Sequence, residues 1–518
     1  MTKTREKSDR CIVPKKGGNA PGGRAATASE QARQLGLFSG EDDSPQGADG
    51  QAGRDRTHPA KRAVQRPENT RRRVMPAMTM EEVATHENLK EAFKQVASNK
   101  GAPGPDGKSI EEVRARLGEI VSLLHKKLLD ESYRVGMSRR VWIPKSGGKG
   151  ERGLGIPDVI DRIVQQAVQQ VLSPHYDPTF HGSSHGFRPG RSCHTAIEEA
   201  TSYLDDGYEW VVDMDLEKFF DQIPHQRLEA RLEQRIKDRR IIRLIHRMLK
   251  AKVVMPDGVV VNTEEGAPQG GPLSPLLSNI VLDELDWELA RRGHRFVRYA
   301  DDCNIYVRSE RAGKRAKESI SRFIAKRLRL KVNEEKSAVA KPEERHFVGF
   351  RLRRDPGSGE VEVKLSERSR KRIDAKIREL TPRTWGNSLK SCIQCLNRYL
   401  IGWIGFFRIC TQDELQTLGT LDAHIRRRLR AIILKHWKRK RTIAKRLIKR
   451  GIRQKTAWGN VYKGSRSWWK LSHTPAVDRA LPNAYFADQG LVFLTKKWEE
   501  YRARTIALAP RQLCLPLG

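Results

Sequence analysis

Acidic residues stand inside two apolar segments of this chain, and this placement constrains the fold more than any other feature. The segment 209–216 is typical of a buried strand, and Asp213 and Asp215 share one of its faces because side chains alternate along a strand. The segment 295–307 predicts a strand, a tight turn and a second strand, with Asp301 and Asp302 at the tip. Because an unpaired acid is costly in apolar surroundings, these carboxylates need basic partners or a bound cation.

Both explanations of the acids are open at this point. The chain of 518 residues has 99 Lys and Arg against 63 Asp and Glu, so basic partners are abundant. The alternative is a site for two Mg²⁺ ions, which prefer oxygen ligands. One such ion would activate an attacking 3′-hydroxyl, and the other would stabilise a leaving pyrophosphate.

Composition excludes several classes of protein. A formal charge of +36 predicts a polyanionic partner, most simply RNA or DNA, although a ribosome-like or chromatin-like protein would have the same charge. The chain has no stretch of about 18 apolar residues, so no membrane-spanning helix is predicted. The N-terminus also lacks the apolar region of a secretory signal. The 7 Cys are scattered and odd in number, which favours a reducing compartment, so a cytoplasmic protein is expected.

Periodicity divides the chain into unlike parts. Residues 1–75 lack apolar periodicity and are rich in Gly, Pro and Ser, which predicts a disordered leader. Helices and short strands alternate from there to about residue 352, and residues 366–440 are mostly helical in pattern, so the fold class expected is α+β with a helical appendage. The individual predictions are helices over 87–98 and 110–129, a hairpin with strands 139–144 and 153–156 around a turn at 146–150, a helix capped by Asp158, and a helix over 273–289.

Three motifs in order resemble those of reverse transcriptases. They are Tyr-Ala-Asp-Asp at 299–302, Asp-Leu-Glu-Lys-Phe-Phe-Asp at 215–221, and a Gln-Gly-Gly motif at 266–279. In detail they resemble the bacterial group II intron reverse transcriptase/maturase family, from about residue 88 to the C-terminus. The resemblance implies a right-hand polymerase, whose parts are a leader (1–75), fingers and palm (76–355), a helical thumb or maturase domain (356–440) and a basic nucleic-acid-binding domain (441–518).

The resemblance also implies roles for the acids. Asp215 and Asp301 would bind the metal ions, with Asp302 in support and the backbone carbonyl of Leu216 as a further ligand. Asp213 lies two residues before the motif position and is therefore interpreted as structural.

Further residues match the nucleotide-binding positions of the family. Lys145 and Arg152 flank a Gly-rich fingertip, and a Lys with an Arg at such a tip suits a triphosphate. The resemblance places Phe220 under the sugar, where its ring would exclude a 2′-hydroxyl, and Gln269 against the incoming nucleotide. Lys336 would protonate the leaving pyrophosphate as a general acid. The alternatives are solvated surface charges for the cations and an ordinary core residue for Phe220.

Basic residues predict contacts with nucleic acid. Arg188 and Arg191 lie in a family motif and are predicted to touch template or nucleotide phosphate, while Ser192 caps the next helix. Residues 426–455 contain 15 Lys or Arg and no acid, which predicts a helix with an apolar face and a phosphate-binding face. The residues predicted to contact nucleic acid there are Arg426, Arg427, Lys438, Arg439, Lys440 and Arg441.

The C-terminal part departs from many relatives in one respect. Those relatives end in a metal-bound endonuclease domain, but Cys392 and Cys395 form the only Cys pair of that spacing here, and no second ligand pair follows. No endonuclease is therefore expected. The aromatic residues Trp468, Trp469 and Tyr485 either stack on unpaired bases or form a small core.

These observations predict an Mg²⁺-dependent RNA-directed DNA polymerase that adds dNTPs to a primer on an RNA template. The resemblance implies that it also binds group II intron RNA as a maturase, assisting splicing and mobility at a DNA target. No membrane partner is expected. Two alternatives are a non-catalytic RNA-binding maturase and a domesticated reverse transcriptase without a cognate intron.

Overall fold

The computed structural model describes residues 77–144, 150–382, 385–463 and 467–508, the last range without the side chains of 505–508. Helices and strands alternate as far as residue 365, and the described residues after it are helical or irregular. The predicted α+β class with a helical second part is confirmed. The predicted leader 1–75 and almost all of the predicted turn 146–150 lie outside the described residues.

The first part consists of helices around a projecting hairpin. Side chains cap two of these helices: the Thr85 hydroxyl accepts from the backbone N–H of Asn88, and Ser109 forms a reciprocal capping box with Glu112. The elements are α1 (Met80–Ala84), α2 (His86–Ser98), α3 (Ile110–Ala115), α4 (Leu117–Leu129), β1 (Ser138–Pro144), β2 (Glu151–Pro157), α5 (Val159–Tyr176) and α6 (Cys193–Asp205).

The second part contains the sheet that carries the acids. Its elements are β3 (Trp210–Met214), α7 (His225–Glu233), α8 (Arg239–Leu249), β4 (Val253–Val254), β5 (Val260–Val261), α9 (Ser274–Arg291), β6 (Arg295–Tyr299), β7 (Asp302–Val307), α10 (Glu310–Phe323) and β8 (Ala338–Ala340). One sheet has the order β6-β7-β3-β8 with antiparallel neighbours, and this is the palm. A second sheet, β2-β1-β4-β5, belongs to the fingers.

A hairpin and a group of helices complete the described chain. The elements are β9 (Phe350–Arg354), β10 (Val361–Leu365), α11 (Glu367–Leu380), α12 (Leu389–Phe407), α13 (Leu415–Trp437), α14 (Lys440–Lys449), α15 (Gln454–Tyr462), α16 (Trp468–Leu471), α17 (Pro475–Ala480), α18 (Asn483–Asp488) and α19 (Leu494–Leu508). The predicted domain limit at 355 falls in the turn between β9 and β10, and the limit at 440 falls at the start of α14. In the part of the chain that the structure describes, no helix is long and apolar enough to cross a membrane.

The palm sheet is buried on both faces, each in a different core. Val212 and Ile305 pack with the fingers helices in one core. Val211 and Tyr306, on the other face, pack with α12 and α13 in a second core. Phe350 lies in that second core, with its ring centroid 5.4 Å from Phe406. The thumb therefore shares its hydrophobic core with the palm.

Three local predictions are corrected. The helix expected over 110–129 is two helices, because Arg116 leaves the helical conformation. Asp158 does occupy the N-cap position of α5, but its carboxylate accepts a hydrogen bond from the backbone N–H of Asp106 at 3.0 Å instead of capping the helix. The basic segment 426–455 is not one helix, because Lys438 adopts a positive φ of 56° and separates α13 from α14.

Candidate active site

The palm sheet brings the predicted acids to one edge. Strand β3 ends at Met214, so Asp215 is the first residue beyond it. In the β6–β7 hairpin Tyr299 pairs with Asp302, which leaves Ala300 and Asp301 as a two-residue turn. Ala300 has a φ of 58°, the positive value that such tight turns require. Two different strands of one sheet therefore hold the carboxylates at the same end.

The loop that follows α10 fixes the backbone of Asp215. Its N–H donates to the hydroxyl of Ser337 at 2.9 Å, and its carbonyl accepts from the N–H of Asn333 at 2.8 Å. The ammonium of Lys336, in the same loop, donates to Asp215 Oδ2 at 2.8 Å. The predicted general acid thus lies directly beside a predicted metal ligand.

The carboxylates at the turn interact electrostatically. Surrounding protein desolvates Asp302, and repulsion from Asp301, Asp213 and Asp215 acts in the same direction, which raises the pKa of Asp302 to about 8. Desolvation and the charge of Asp215 also raise the pKa of Asp301. Asp302 is nevertheless exposed to solvent. Clustered carboxylates of this kind favour a cationic partner.

The donor set fits the chemistry of Mg²⁺, since carboxylates and a backbone carbonyl are the oxygen ligands that this ion prefers. Leu216, whose carbonyl is the predicted backbone ligand, is buried and forms an isolated bridge with Val332. Within the described residues, no three side chains among His, Cys, Asp and Glu form a ready-made metal site. Lys336 is the cation that contacts Asp215 in this arrangement.

Asp213 has a partner of its own, which agrees with its interpretation as structural. Arg345 donates to Asp213 Oδ2 from Nε at 2.8 Å and from Nη2 at 2.5 Å. Nothing in the sequence pattern marks Arg345 as this partner. The signal for a basic partner is an acid within an apolar strand, on the same face as the proposed metal ligand Asp215.

The residues predicted to bind the nucleotide are linked by the backbone. The N–H of Ala267 donates to the carbonyl of Phe220 at 2.7 Å, so the turn carrying Phe220 and the loop carrying Gln269 are held together. The carbonyl of Gln269 accepts from the N–H of Gly155 at 2.8 Å, which joins the same loop to β2. Arg152 lies on β2 and is exposed, and its charge partly offsets the rise in the pKa values of Asp301 and Asp302.

The structure therefore joins the segments of Phe220 and Gln269 to the strand of Arg152, whose charge acts on the acidic turn. Phe220 is half-buried and stands edge-on to Phe219, with ring centroids 5.2 Å apart. Lys145, the other predicted fingertip cation, lies outside the described residues.

The prediction for Arg188 is corrected. Its guanidinium is buried and donates to Asp177 Oδ1 at 2.7 Å and to the carbonyls of Asp177, His181 and Ser184. Because these contacts occupy the guanidinium, it is not available for a phosphate. Arg191 remains exposed and donates one hydrogen bond, to the carbonyl of Gly182 at 2.7 Å.

The cations in the basic segment of the thumb differ in their exposure to solvent. Arg428 and Arg430 are buried, and Arg430 pairs with Asp478. Arg426 and Arg427 are half-buried over the rings of Phe493 and Trp469, and Lys440 is half-buried near Tyr462. The fully exposed members of the predicted set, where α13 gives way to α14, are Lys438, Arg439 and Arg441.

The C-terminal aromatic and Cys residues have mainly structural surroundings. Trp468 and Tyr485 are partly buried against the second core, which favours the small-core interpretation for them. Cys392 and Cys395 are both buried within α12. Cys392 Sγ donates to the carbonyl of Leu380 at 3.7 Å.

Two family models match the chain. The model described as reverse transcriptase (RNA-dependent DNA polymerase) matches residues 143–352, which include all the acids and nucleotide-binding candidates above. The model described as group II intron, maturase-specific domain, matches residues 370–451, which include α12 and α13.

Curated proteins are similar over the same region. Protein YkfC of Escherichia coli (strain K12) is 35% identical over 317 residues, which cover 53% of this chain and 83% of that protein. The group II intron-encoded protein LtrA of Lactococcus lactis subsp. cremoris is 30% identical over 327 residues, which cover 51% of this chain and 54% of LtrA. The chain thus spans most of the first relative but about half the length of the second.

Similar solved structures include a chain of a partial Cas6-RT-Cas1–Cas2 complex, with 24% identity, a TM-score of 0.32, and coverage of 48% of this chain and 42% of that one. Another is telomerase from Candida albicans with a fragment of telomeric RNA, with 13% identity, a TM-score of 0.36, and coverage of 58% and 59%.

The palm sheet, its acidic edge and the first family match define a reverse transcriptase domain, which a maturase-specific domain follows. The chain belongs to the family of group II intron-encoded reverse transcriptases/maturases.

Proposed function

We propose that this chain is an RNA-directed DNA polymerase that adds dNTPs to the 3′-hydroxyl of a primer paired with an RNA template. The observation that carries the proposal is the placement of Asp215 with Asp301 and Asp302 at one edge of the palm sheet, next to Lys336. Reverse transcriptase activity in general is what the matched domain supports.

Asp215, Asp301, Asp302 and the carbonyl of Leu216 are the groups that would hold Mg²⁺. When bound, Mg²⁺ supplies activation of the primer hydroxyl and stabilisation of the leaving pyrophosphate. The other residues act on the nucleotide. Arg152 approaches the acidic turn from β2 and suits a triphosphate, because its guanidinium can form two parallel hydrogen bonds with phosphate oxygens.

Two further side chains would act in sugar selection and proton transfer, Phe220 and Lys336. Phe220 stands where the backbone of its turn is tied to the loop of Gln269, which suits a ring that excludes a 2′-hydroxyl. Lys336 holds its ammonium at the acidic edge, where it can donate a proton to the leaving pyrophosphate.

The second part of the proposal concerns intron RNA. The group II intron maturase-specific match and the exposed cations at the start of α14 support binding of intron RNA as a maturase that assists splicing and mobility. Lys438, Arg439 and Arg441 would contact phosphates. The RNA itself would supply the splicing chemistry.

The test is primer extension on an RNA template with purified protein and Mg²⁺. The wild type should synthesise DNA and prefer dNTPs over NTPs, and Asp301→Asn should abolish synthesis. Asp205→Asn, an exposed residue at the end of α6, is the control and should match the wild type. A wild type that folds and binds RNA but makes no DNA would contradict the polymerase and leave the RNA-binding role.

A further inference from the structure

Arg298 is a charged residue in the middle of an apolar strand. It lies on β6 between Val297 and Tyr299, and it is 0% exposed. A buried guanidinium is costly unless its charge is paired and its N–H groups are bonded. The hydrogen bonds of Arg298 show which groups compensate this cost.

All the hydrogen-bonding capacity of Arg298 is used. Nε and Nη2 donate to the two oxygens of Asp286 at 2.7 and 2.5 Å, which is the bidentate arrangement. Nη2 also donates to the hydroxyl of Ser184 at 2.7 Å, and Nη1 donates to Asn279 Oδ1 at 3.0 Å. The fifth hydrogen bond runs from Nη1 to the carbonyl of Ala300 at 2.8 Å. Only this last contact reaches the acidic turn.

Ala300 needs such support. Its φ of 58° is unfavourable for a residue with a Cβ, and Asp301 and Asp302 follow directly. Gly186 packs against the turn so closely that a Cβ there would lie 2.3 Å from the N of Ala300. Asn279 donates from Nδ2 to the carbonyl of Gly186 at 2.9 Å. The side chain of Asn279 therefore contacts both Gly186 and Arg298, the two residues that support the turn.

We propose that Arg298, oriented by Asp286 and Asn279, is a positioning residue that holds the Ala300 turn and thereby sets the placement of the carboxylates of Asp301 and Asp302. The inference rests on the proposed function, because the positioned groups are the proposed metal ligands. Asp286 and Asn279 are 0% and 1% exposed and both lie on α9, so the network anchors the turn to the longest palm helix. Removal of supporting residues of this kind typically lowers metal affinity or activity by roughly 10–100-fold.

The alternative is that the ion pair between Arg298 and Asp286 only stabilises the core. The double variant Arg298→Met, Asp286→Leu distinguishes this structural role from the positioning role. Replacing both members of a buried ion pair by apolar residues of similar size often preserves stability. The variant therefore keeps a packed core but loses the hydrogen bond to Ala300. The matched control is Arg430→Met, Asp478→Leu, which removes another Arg–Asp pair whose Arg also bonds a backbone carbonyl, that of Leu481.

Two quantities are measured for each protein. One is the affinity for Mn²⁺ in the absence of substrate, by electron paramagnetic resonance, and the other is the Mg²⁺ dependence of primer extension, with thermal unfolding recorded alongside. The palm variant should bind Mn²⁺ roughly 10–100-fold more weakly and need correspondingly more Mg²⁺, while it unfolds close to the wild-type temperature. The thumb control should keep the wild-type values of both metal measurements.

A palm variant with wild-type Mn²⁺ affinity and Mg²⁺ dependence would overturn the inference. If that variant does not fold, Asn279→Leu removes the link between Arg298 and Gly186 while both members of the ion pair stay, and the same weakening is expected. Unchanged metal affinity in this variant would also overturn the inference. A wild type that binds Mn²⁺ but does not extend primers would contradict the polymerase, while the Mn²⁺ comparison would still decide the role of Arg298.

Discussion

Arg345 donates two hydrogen bonds to one oxygen of Asp213 and a third, at 2.6 Å, to the carbonyl of Lys336. Burial raises the pKa of Asp213, and the guanidinium opposes that rise. The pair therefore joins the strand that precedes Asp215 to the loop that carries Lys336, the proposed general acid.

The first prediction is that Arg345→Ala lowers the free energy of unfolding by about 1–3 kcal/mol, because it leaves the half-buried carboxylate of Asp213 without its partner. Urea unfolding measures the change. Lys341→Ala is the control, since Lys341 pairs with the exposed Glu209, and such a surface pair contributes about 0–1 kcal/mol. Equal losses in the two variants would contradict a special role for the Asp213 pair.

Phe220→Ala should weaken discrimination against NTPs by roughly 10–200-fold, since the cavity left by the ring admits a 2′-hydroxyl. The ratio of kcat/KM for a dNTP and the matching NTP measures the effect. Phe219→Leu is the control, because Phe219 is 2% exposed in the core and should affect stability instead of sugar selection. Unchanged selectivity in Phe220→Ala would contradict the proposal that the Phe220 ring excludes a 2′-hydroxyl.

Gly266→Ala should impair polymerisation through the backbone. Gly266 has a φ of 92°, and a Cβ there would lie 2.7 Å from the carbonyl oxygen of Phe220. The clash would displace the turn of Phe220 from the loop of Gln269. Gly258→Ala is the control, with a φ of 87° and open space around the added Cβ, so it carries only the conformational cost of about 1–2 kcal/mol.

Primer extension at saturating dNTP compares the two Gly variants. We expect kcat to fall for Gly266→Ala and to stay near the wild-type value for Gly258→Ala. Similar activities would indicate that the contact between the two loops tolerates displacement.

The stability of the fingers should fall as pH rises from about 4 to about 6. Burial raises the pKa of Asp161 to about 6 from its ordinary value near 3.8, although Tyr133 and the N–H of Gly136 donate hydrogen bonds to it. The folded state therefore retains a proton that the unfolded chain releases near pH 4, and the penalty for the charged form is complete above about pH 6.

Asp161→Asn should remove a pH-dependent contribution on the order of 3 kcal/mol, and thermal unfolding at several pH values measures it. Asp283, whose pKa is also raised to about 6 by burial, makes a similar contribution elsewhere. Asp283→Asn should therefore leave the contribution of Asp161 to the pH dependence of stability unchanged. A profile of Asp161→Asn identical with that of the wild type would contradict the assignment.

The exposed cations at the start of α14 should set part of the affinity for RNA. Replacing Lys438, Arg439 and Arg441 by Gln should weaken binding uniformly across RNA sequences and reduce the slope of log affinity against log salt by roughly 0.7 for each phosphate that the variant no longer neutralises. An equal charge change on the exposed face of α10 is the control and should leave the slope nearly unchanged, at Arg311, Lys314 and Arg315. Equal effects would mean that net charge alone drives binding.

Much of the fold and most of the placement of the candidate site could be predicted from local patterns. Alternation in β3 and the acid pair at a hairpin tip are local signals, and the structure places Asp215, Asp301 and Asp302 at one end of the sheet as these signals predict. Strand β10 was missed although it pairs with β9 across a short local turn over 355–360. The break at Lys438 was missed because charge patterning does not report backbone conformation.

Arg188 and Arg298 show why roles of cations are hard to predict. The same residue type binds phosphate when exposed and satisfies carbonyls and carboxylates when buried. Sequence placed Arg188 in a basic motif, but Asp177 and three backbone carbonyls occupy it. Burial is a property of the assembled tertiary structure, and local spacing does not determine it.

The core that palm and thumb share has a consequence for dissecting the protein. Phe350 stands at the edge of the reverse transcriptase match, yet the rings nearest to it are those of Phe406 and Phe407, in the maturase-specific match. A fragment cut near residue 355 would present this aromatic face to water and invite aggregation. We therefore expect the two regions that sequence comparison recognises separately to fold as a single unit.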